Sequence, residues 1–106
     1  MKSYTDLEQS KKLAEILPIE SADIFYRDNG IDAKLMWEHN AQKVKYPCWS
    51  LAALLELTPN DVSLLHFEDA YQAVYDVRPY YITNKFDNPL DATFEMICWL
   101  KENGKI

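Results

Sequence analysis

Asn29-Gly30 sits between two runs of alternating apolar and polar residues. A two-residue type I′ turn needs φ > 0 at both central positions, and this pair adopts it most readily. Folding the chain about that turn sets Asp28 opposite Ile31, Tyr26 opposite Ala33, Ile24 opposite Leu35 and Ala22 opposite Trp37. Ile24, Tyr26, Ile31, Leu35 and Trp37 then share one face. Asp23, Arg27, Asp32, Lys34 and Glu38 share the other, with Phe25 and Met36 as exceptions. A two-stranded ribbon with one apolar face is not stable alone in water. Whatever else the chain does, it must build a layer for this hairpin to pack on.

Three helices can supply that layer. Thr5-Asp6-Leu7-Glu8 reads as a capping box, with Thr5 as N-cap and Glu8 reaching back. Leu7, Leu13, Ala14, Ile16 and Leu17 then form one helix face, and Pro18 ends the element. The second helix follows Ser50 as N-cap, with Trp49 placed to staple onto Leu54, and Pro59-Asn60 stops it. It is apolar on nearly every side, which predicts a buried central element. The third starts at Asn88, carries Pro89 at its first position and Asp91 at its third, and ends at Gly104. Met96, Ile97 and Leu100, flanked by Ala92 and Phe94, lie opposite an acidic stripe of Asp91, Glu95 and Glu102. Trp99 lies about 60° from that stripe, so it reads as partly exposed.

Between the second and third helices the period changes to two. Tyr71, Ala73, Tyr75 and Val77 alternate with Gln72, Val74, Asp76 and Arg78, which predicts a half-buried strand. Val62 to Phe67 reads as a strand before it, although Leu64 to Glu68 could equally open a helix. Tyr80 to Thr83 reads as a strand after it, with breaks at Glu68-Asp69 and Arg78-Pro79. A polar loop from His39 to Gln42 and a short edge strand from Lys43 to Tyr46 complete the pattern.

Composition narrows the chemistry. With 106 residues, 48% hydrophobic and 26% charged, the chain has the make-up of a single folded domain. Its 11 basic and 17 acidic residues give a net charge of −6, so its field repels phosphate backbones, which argues against direct nucleic-acid binding. No apolar run reaches a membrane span, and the first residues lack a signal peptide's apolar core, so a cytoplasmic location is expected. Cys48 and Cys98 have no metal or redox spacing and read as buried thiols. A disulfide between them would need the fold to bring them together in an oxidising compartment. His39 and His66 have no ligand spacing, and two glycines leave no phosphate loop, so no metal and no cofactor is expected. The paired acids Asp87/Asp91 and Glu68/Asp69 are explained by helix-start and turn roles.

Pro47-Cys48-Trp49-Ser50-Leu51-Ala52-Ala53-Leu54-Leu55-Glu56-Leu57-Thr58-Pro59 carries a P-x-W-S-L-x-x-L-L-E-x-x-P pattern. Together with Leu7 to Leu13 and Pro89 to Asn103, it resembles a group of small proteins of gut Bacteroidales and their phages or mobile elements. That resemblance implies a mobile-element setting and no residue roles. Its signature residues are the cap, staple and core positions named above, which favours architecture over catalysis.

These readings converge on a single α+β domain over residues 1–106, with three helices packed against an antiparallel sheet of four to six strands. The leading functional expectation is a non-enzymatic cytosolic accessory or interaction module that binds a protein partner and is itself a monomer or weak homodimer. Its contact surface would be a tyrosine-bearing sheet carrying Tyr71, Tyr75, Tyr80 and Tyr81, together with Trp99. Two alternatives stand beside it. One is an acidic inhibitor that mimics nucleic acid at a DNA-binding enzyme. The other is a hydrolase using a carboxylate or His66.

Overall fold

The structure, a computed structural model, describes residues 2–27, 33–34 and 44–106. The elements run α1 (Leu7–Ile16), a 3₁₀ turn (Ile19–Ser21), β1 (Ile24–Arg27), β2 (Ala33–Lys34), β3 (Val44–Cys48), α2 (Leu51–Leu57), β4 (Val62–His66), β5 (Tyr71–Tyr75), β6 (Tyr81–Ile82) and α3 (Pro89–Glu102). Among the described residues the class is α+β with three helices.

The strands do not join into the single sheet expected. Among the described residues they divide into two antiparallel sheets of three, ordered β2-β1-β3 and β4-β5-β6. Local pattern identifies strands but not which distant strand each one pairs with, and α2 lies between the two sets in sequence. Within the first sheet, Tyr26 pairs with Ala33 and Phe25 with Lys34, the register a two-residue turn at Asn29-Gly30 requires. The turn itself, the pairings of Leu35 and Trp37, and the His39–Gln42 loop lie outside the described residues. β3 continues through Pro47, which is tolerated because β3 is an edge strand among those described.

The helix caps are mostly where the side chains place them. Ser50 accepts from the Ala53 amide and Asn88 from the Asp91 amide. At the other end of α3, Gly104 takes φ +68°. There the Lys105 amide reaches the Leu100 carbonyl at 2.8 Å and the Gly104 amide that of Lys101 at 3.2 Å. This is a Schellman ending. At α1 the box is shifted by one residue: Asp6 is the N-cap and Gln9 closes it, not Thr5 and Glu8. Thr5 is unavailable because its hydroxyl is buried in a tertiary role. It accepts the Trp49 amide at 3.0 Å and pairs with the Ser10 hydroxyl at 2.7 Å. Ser10 accordingly faces inward while Ala14 is exposed.

Two apolar clusters meet on α3. Leu13, Leu17, Trp49, Leu54, Leu90, Ile97 and Cys98 form one, joining α1, α2 and α3. Ala73 and Tyr75 of β5 with Ala92, Met96 and Leu100 of α3 form the other. The central helix is therefore α3, not α2. With two turns and only Leu54 fully buried, α2 presents Ala52 and Leu55 to solvent.

An ion-paired network ties the first residues to α3. Lys2 Nζ lies 2.8 Å from Asp91 and 3.0 Å from Asp6. Asp91 also accepts from Gln9 at 2.8 Å and from the Asn88 side chain at 2.9 Å. Burial alone pushes the Asp91 carboxyl up, but donors from Lys2, Asn88 and Gln9 outweigh it and hold the pKa below the ordinary 3.8. A carboxyl depressed in the folded state contributes stability above its unfolded pKa and loses it as pH falls through its folded one. The expected result is that Asp91→Asn flattens the acid limb of a stability–pH curve below about pH 4. An unchanged acid limb would show that the network contributes nothing.

Candidate functional site

The second sheet is where the predicted contact residues gather. Alternation sends Val62, Leu64, Tyr71, Ala73, Tyr75 and Tyr81 to one side, and all of them pack against the α3 cluster. Trp99 reaches out from α3 to complete an aromatic group. Its ring stacks on Tyr81 at 4.6 Å and 5°, and tilts against Tyr75 at 5.4 Å and 52°. Burial raises the Tyr81 phenol, and the nearby Glu95 carboxylate adds to the effect. Tyr71 stacks on the exposed His66 ring at 4.2 Å and 3°.

This corrects the expected contact surface. The tyrosine-bearing face is the inner face, covered by α3, and Tyr75 is only 7% exposed. Tyr71, Tyr81 and Trp99 are half-buried and spend their rings on internal stacking. Tyr80 stands apart, 62% exposed, just after the cis Arg78-Pro79 bond. The structure brings Tyr75, Tyr81 and Trp99 together and separates Tyr80 from them.

The opposite face is the open one. Register aligns Ser63 with Val74 and Val74 with Ile82, while Leu65 faces Gln72. Ile82 is 59% exposed and Leu65 41%. Phe67, in phase with Ser63 and Leu65, extends the apolar surface past the end of β4, and Lys85 Nζ lies 5.0 Å from its ring, while Val77 and Tyr80 are exposed in the segment between β5 and β6. Of the eight large exposed hydrophobics among the described residues, these five fall within 65–82. Leu65 and Ile82 share the outer face, so that face carries exposed apolar area on both flanking strands of the sheet. The same stretch of chain carries the exposed acids Asp61, Glu68, Asp69 and Asp76, against the exposed bases Arg78 and Lys85. Leu65, Phe67, Val77 and Ile82 were not singled out from sequence. The available signal was the adjacent Leu64-Leu65, which loads both faces of one strand.

An open groove of about 470 Å³ between the 3₁₀ turn and α2 has Glu20, Asp23 and Glu56 over Ala22, Ala53 and Leu57. Its Asp23 already accepts from the Ser50 amide and hydroxyl. Among the described residues no three His, Cys, Asp or Glu side chains are grouped to hold a metal. Also among them, no helix is long and apolar enough to cross a membrane.

Cys48 and Cys98 are buried free thiols in different clusters. Burial, with the Asp23 charge behind it, pushes Cys48 up to about 12, and burial also raises Cys98. Thiols held protonated in this way are poor nucleophiles. A thiol-disulfide reagent at pH 8 is therefore expected to label neither in the native protein and both after unfolding. Rapid native labelling of Cys48 would contradict this burial.

No protein-family model matches the chain, and no curated protein and no solved structure is similar to it.

Proposed function

We propose that the protein is a small non-enzymatic interaction module, working in the cytoplasm through the outer face of the β4-β5-β6 sheet. The carrying observation is the exposure of Leu65 and Ile82 on the outer face of one sheet, with Phe67 and Tyr80 exposed at its ends. An apolar centre with a polar rim is the anatomy of a non-obligate protein interface. The four acids and two bases of the same stretch favour a partner with an apolar patch ringed by Lys and Arg, since rim charges steer encounter. Tyr80 and Ile82, the most exposed of the set, are the candidate anchors. The mobile-element setting suggested by the Pro47–Pro59 segment belongs to the same proposal.

Affinity capture from the source organism tests it when wild type is compared with Ile82→Asp and Tyr80→Ala. Both substitutions are at exposed positions and should leave the circular dichroism spectrum intact. The expected result is a partner retained by wild type and lost by at least about tenfold in each variant. Equal retention by all three proteins would remove the outer face as the binding surface.

A further inference from the structure

The β4-β5 ladder is unbroken from Val62↔Tyr75 to His66↔Tyr71. At its ends the Asp76 amide donates to the Asp61 carbonyl at 3.0 Å, and the Phe67 amide to the Ala70 carbonyl at 2.7 Å. Antiparallel bonding alternates, so the odd-numbered residues of β4 bond to β5 and the even-numbered ones point away. The N–H and C=O of Leu64 and His66 therefore lie along a free edge, as does the Val62 carbonyl. The Val62 amide is taken by the Pro59 carbonyl at 3.1 Å. Among the described strands, none covers this edge.

Edges of monomers are usually blunted by charge, proline, a bulge or brevity. The other edge of this sheet, β6, is two residues long and follows Pro79. β4 has none of these devices: Val62-Ser63-Leu64-Leu65-His66 holds no Lys, Asp, Glu or Pro, and its register has no bulge.

We propose that β4 pairs antiparallel with β4 of a second copy about a two-fold axis at Leu64, fusing two three-stranded sheets into one of six. The phase of the edge selects this register. An axis at Leu64 sets the outward groups of each Leu64 against the other, and each His66 amide against the second copy's Val62 carbonyl. It is also the register in which all five residues of both strands pair. Like charges do not meet in it: Asp61 stands across from the second copy's Phe67, Glu68 across from its Asn60, and Asp69 across from its Pro59. On the outer face the two Leu65 side chains become diagonal neighbours, within reach of one another. On the inner face α3 packs chiefly on Ala73 and Tyr75 of β5 and reaches Val62 and Leu64 of β4, so the two helices would approach each other across the axis from positions centred on β5. The two β5 strands would be three strand spacings apart, about 14 Å. Packed helices need only about 8–10 Å. One five-residue strand pairing is a small interface, which makes a weak, concentration-dependent dimer. It uses the edge of the sheet and not its face, so it stands or falls independently of the partner proposed above.

Sedimentation over a series from about 10 μM to about 1 mM reads the association directly. Amide exchange on the same samples reads its site. The expected result is a mass rising from 12.4 kDa toward twice that value. In parallel, the Leu64 and His66 amides should gain protection with concentration, while Ser63 and Leu65 stay protected throughout. Leu65→Lys, which sets two cations diagonally across the axis, should weaken association at least about tenfold. Monomer at every concentration would overturn the proposal. So would a dimer in which the Leu64 and His66 amides exchange as fast as in the monomer, and that reading does not depend on any variant folding.

Discussion

Trp49→Ala is expected to destabilise the protein by about 3–5 kcal/mol, the range for emptying a large buried aromatic site. Trp49 is fully buried at the junction of α1, α2 and α3, against Leu13, Leu17, Leu54, Leu90 and Ile97. It precedes the α2 N-cap and shares a cluster with Leu54, the pairing of a hydrophobic staple. Its indole N–H donates to the Ser21 hydroxyl at 2.9 Å, holding the 3₁₀ turn against α2. Its backbone exchanges bonds with Thr5, through the Thr5 amide at 2.8 Å and hydroxyl at 3.0 Å. Truncation keeps the backbone bonds, so the loss is contact and volume. Trp49→Phe retains most of that volume and loses one hydrogen bond, so it should cost much less than the alanine variant, by about 1 kcal/mol for the bond alone. Urea unfolding followed by far-ultraviolet circular dichroism measures both. An alanine variant within about 1 kcal/mol of wild type would mean the junction relaxes freely around the missing ring.

Met96→Ala should cost about 2–5 kcal/mol, and its reach is as informative as its size. Met96 and Ile97 are adjacent and both fully buried, but Met96 belongs to the cluster under the second sheet and Ile97 to the one under α1 and α2. If α3 couples the clusters, removing Met96 must weaken amides on both sides. The Ala73 amide, bonded to the Thr83 hydroxyl at 3.0 Å, reports the second sheet. The Leu54 amide, bonded to the Ser50 carbonyl at 3.0 Å, reports α2. Native-state exchange is expected to show both losing protection by similar amounts, the behaviour of one cooperative unit over the whole chain. Loss at Ala73 with Leu54 unchanged would instead divide the protein into two independently unfolding halves.

Features governed by neighbours a few residues away were legible in the sequence. Ser50 and Asn88 cap as read because each bonds an amide three residues on. The Tyr26–Ala33 register is the one that folding about Asn29-Gly30 predicts. Thr5 was misread as a cap because nothing local reveals that the Trp49 amide, 44 residues away, engages its hydroxyl. The single sheet failed for the same reason, since strand pairing is a long-range choice. For the candidate surface, alternation correctly grouped Tyr71 and Tyr75 on one face. Which face α3 would cover was not encoded in that alternation, and the covered face proved to be theirs.

The position of α3 in the chain has a consequence for synthesis. Chains emerge N-terminus first, and both clusters draw their largest share of fully buried side chains from residues 90–100. While β4 and β5 are already outside the ribosome, the inner surface carrying Tyr75 and Ala73 has nothing to close on, and α1 lacks Leu90 and Ile97. The nascent protein therefore passes through a stage in which both apolar surfaces are open at once, and the arrival of one helix shields the two together. Until α3 arrives neither interior is sealed, and that is the form in which a chaperone would meet the chain.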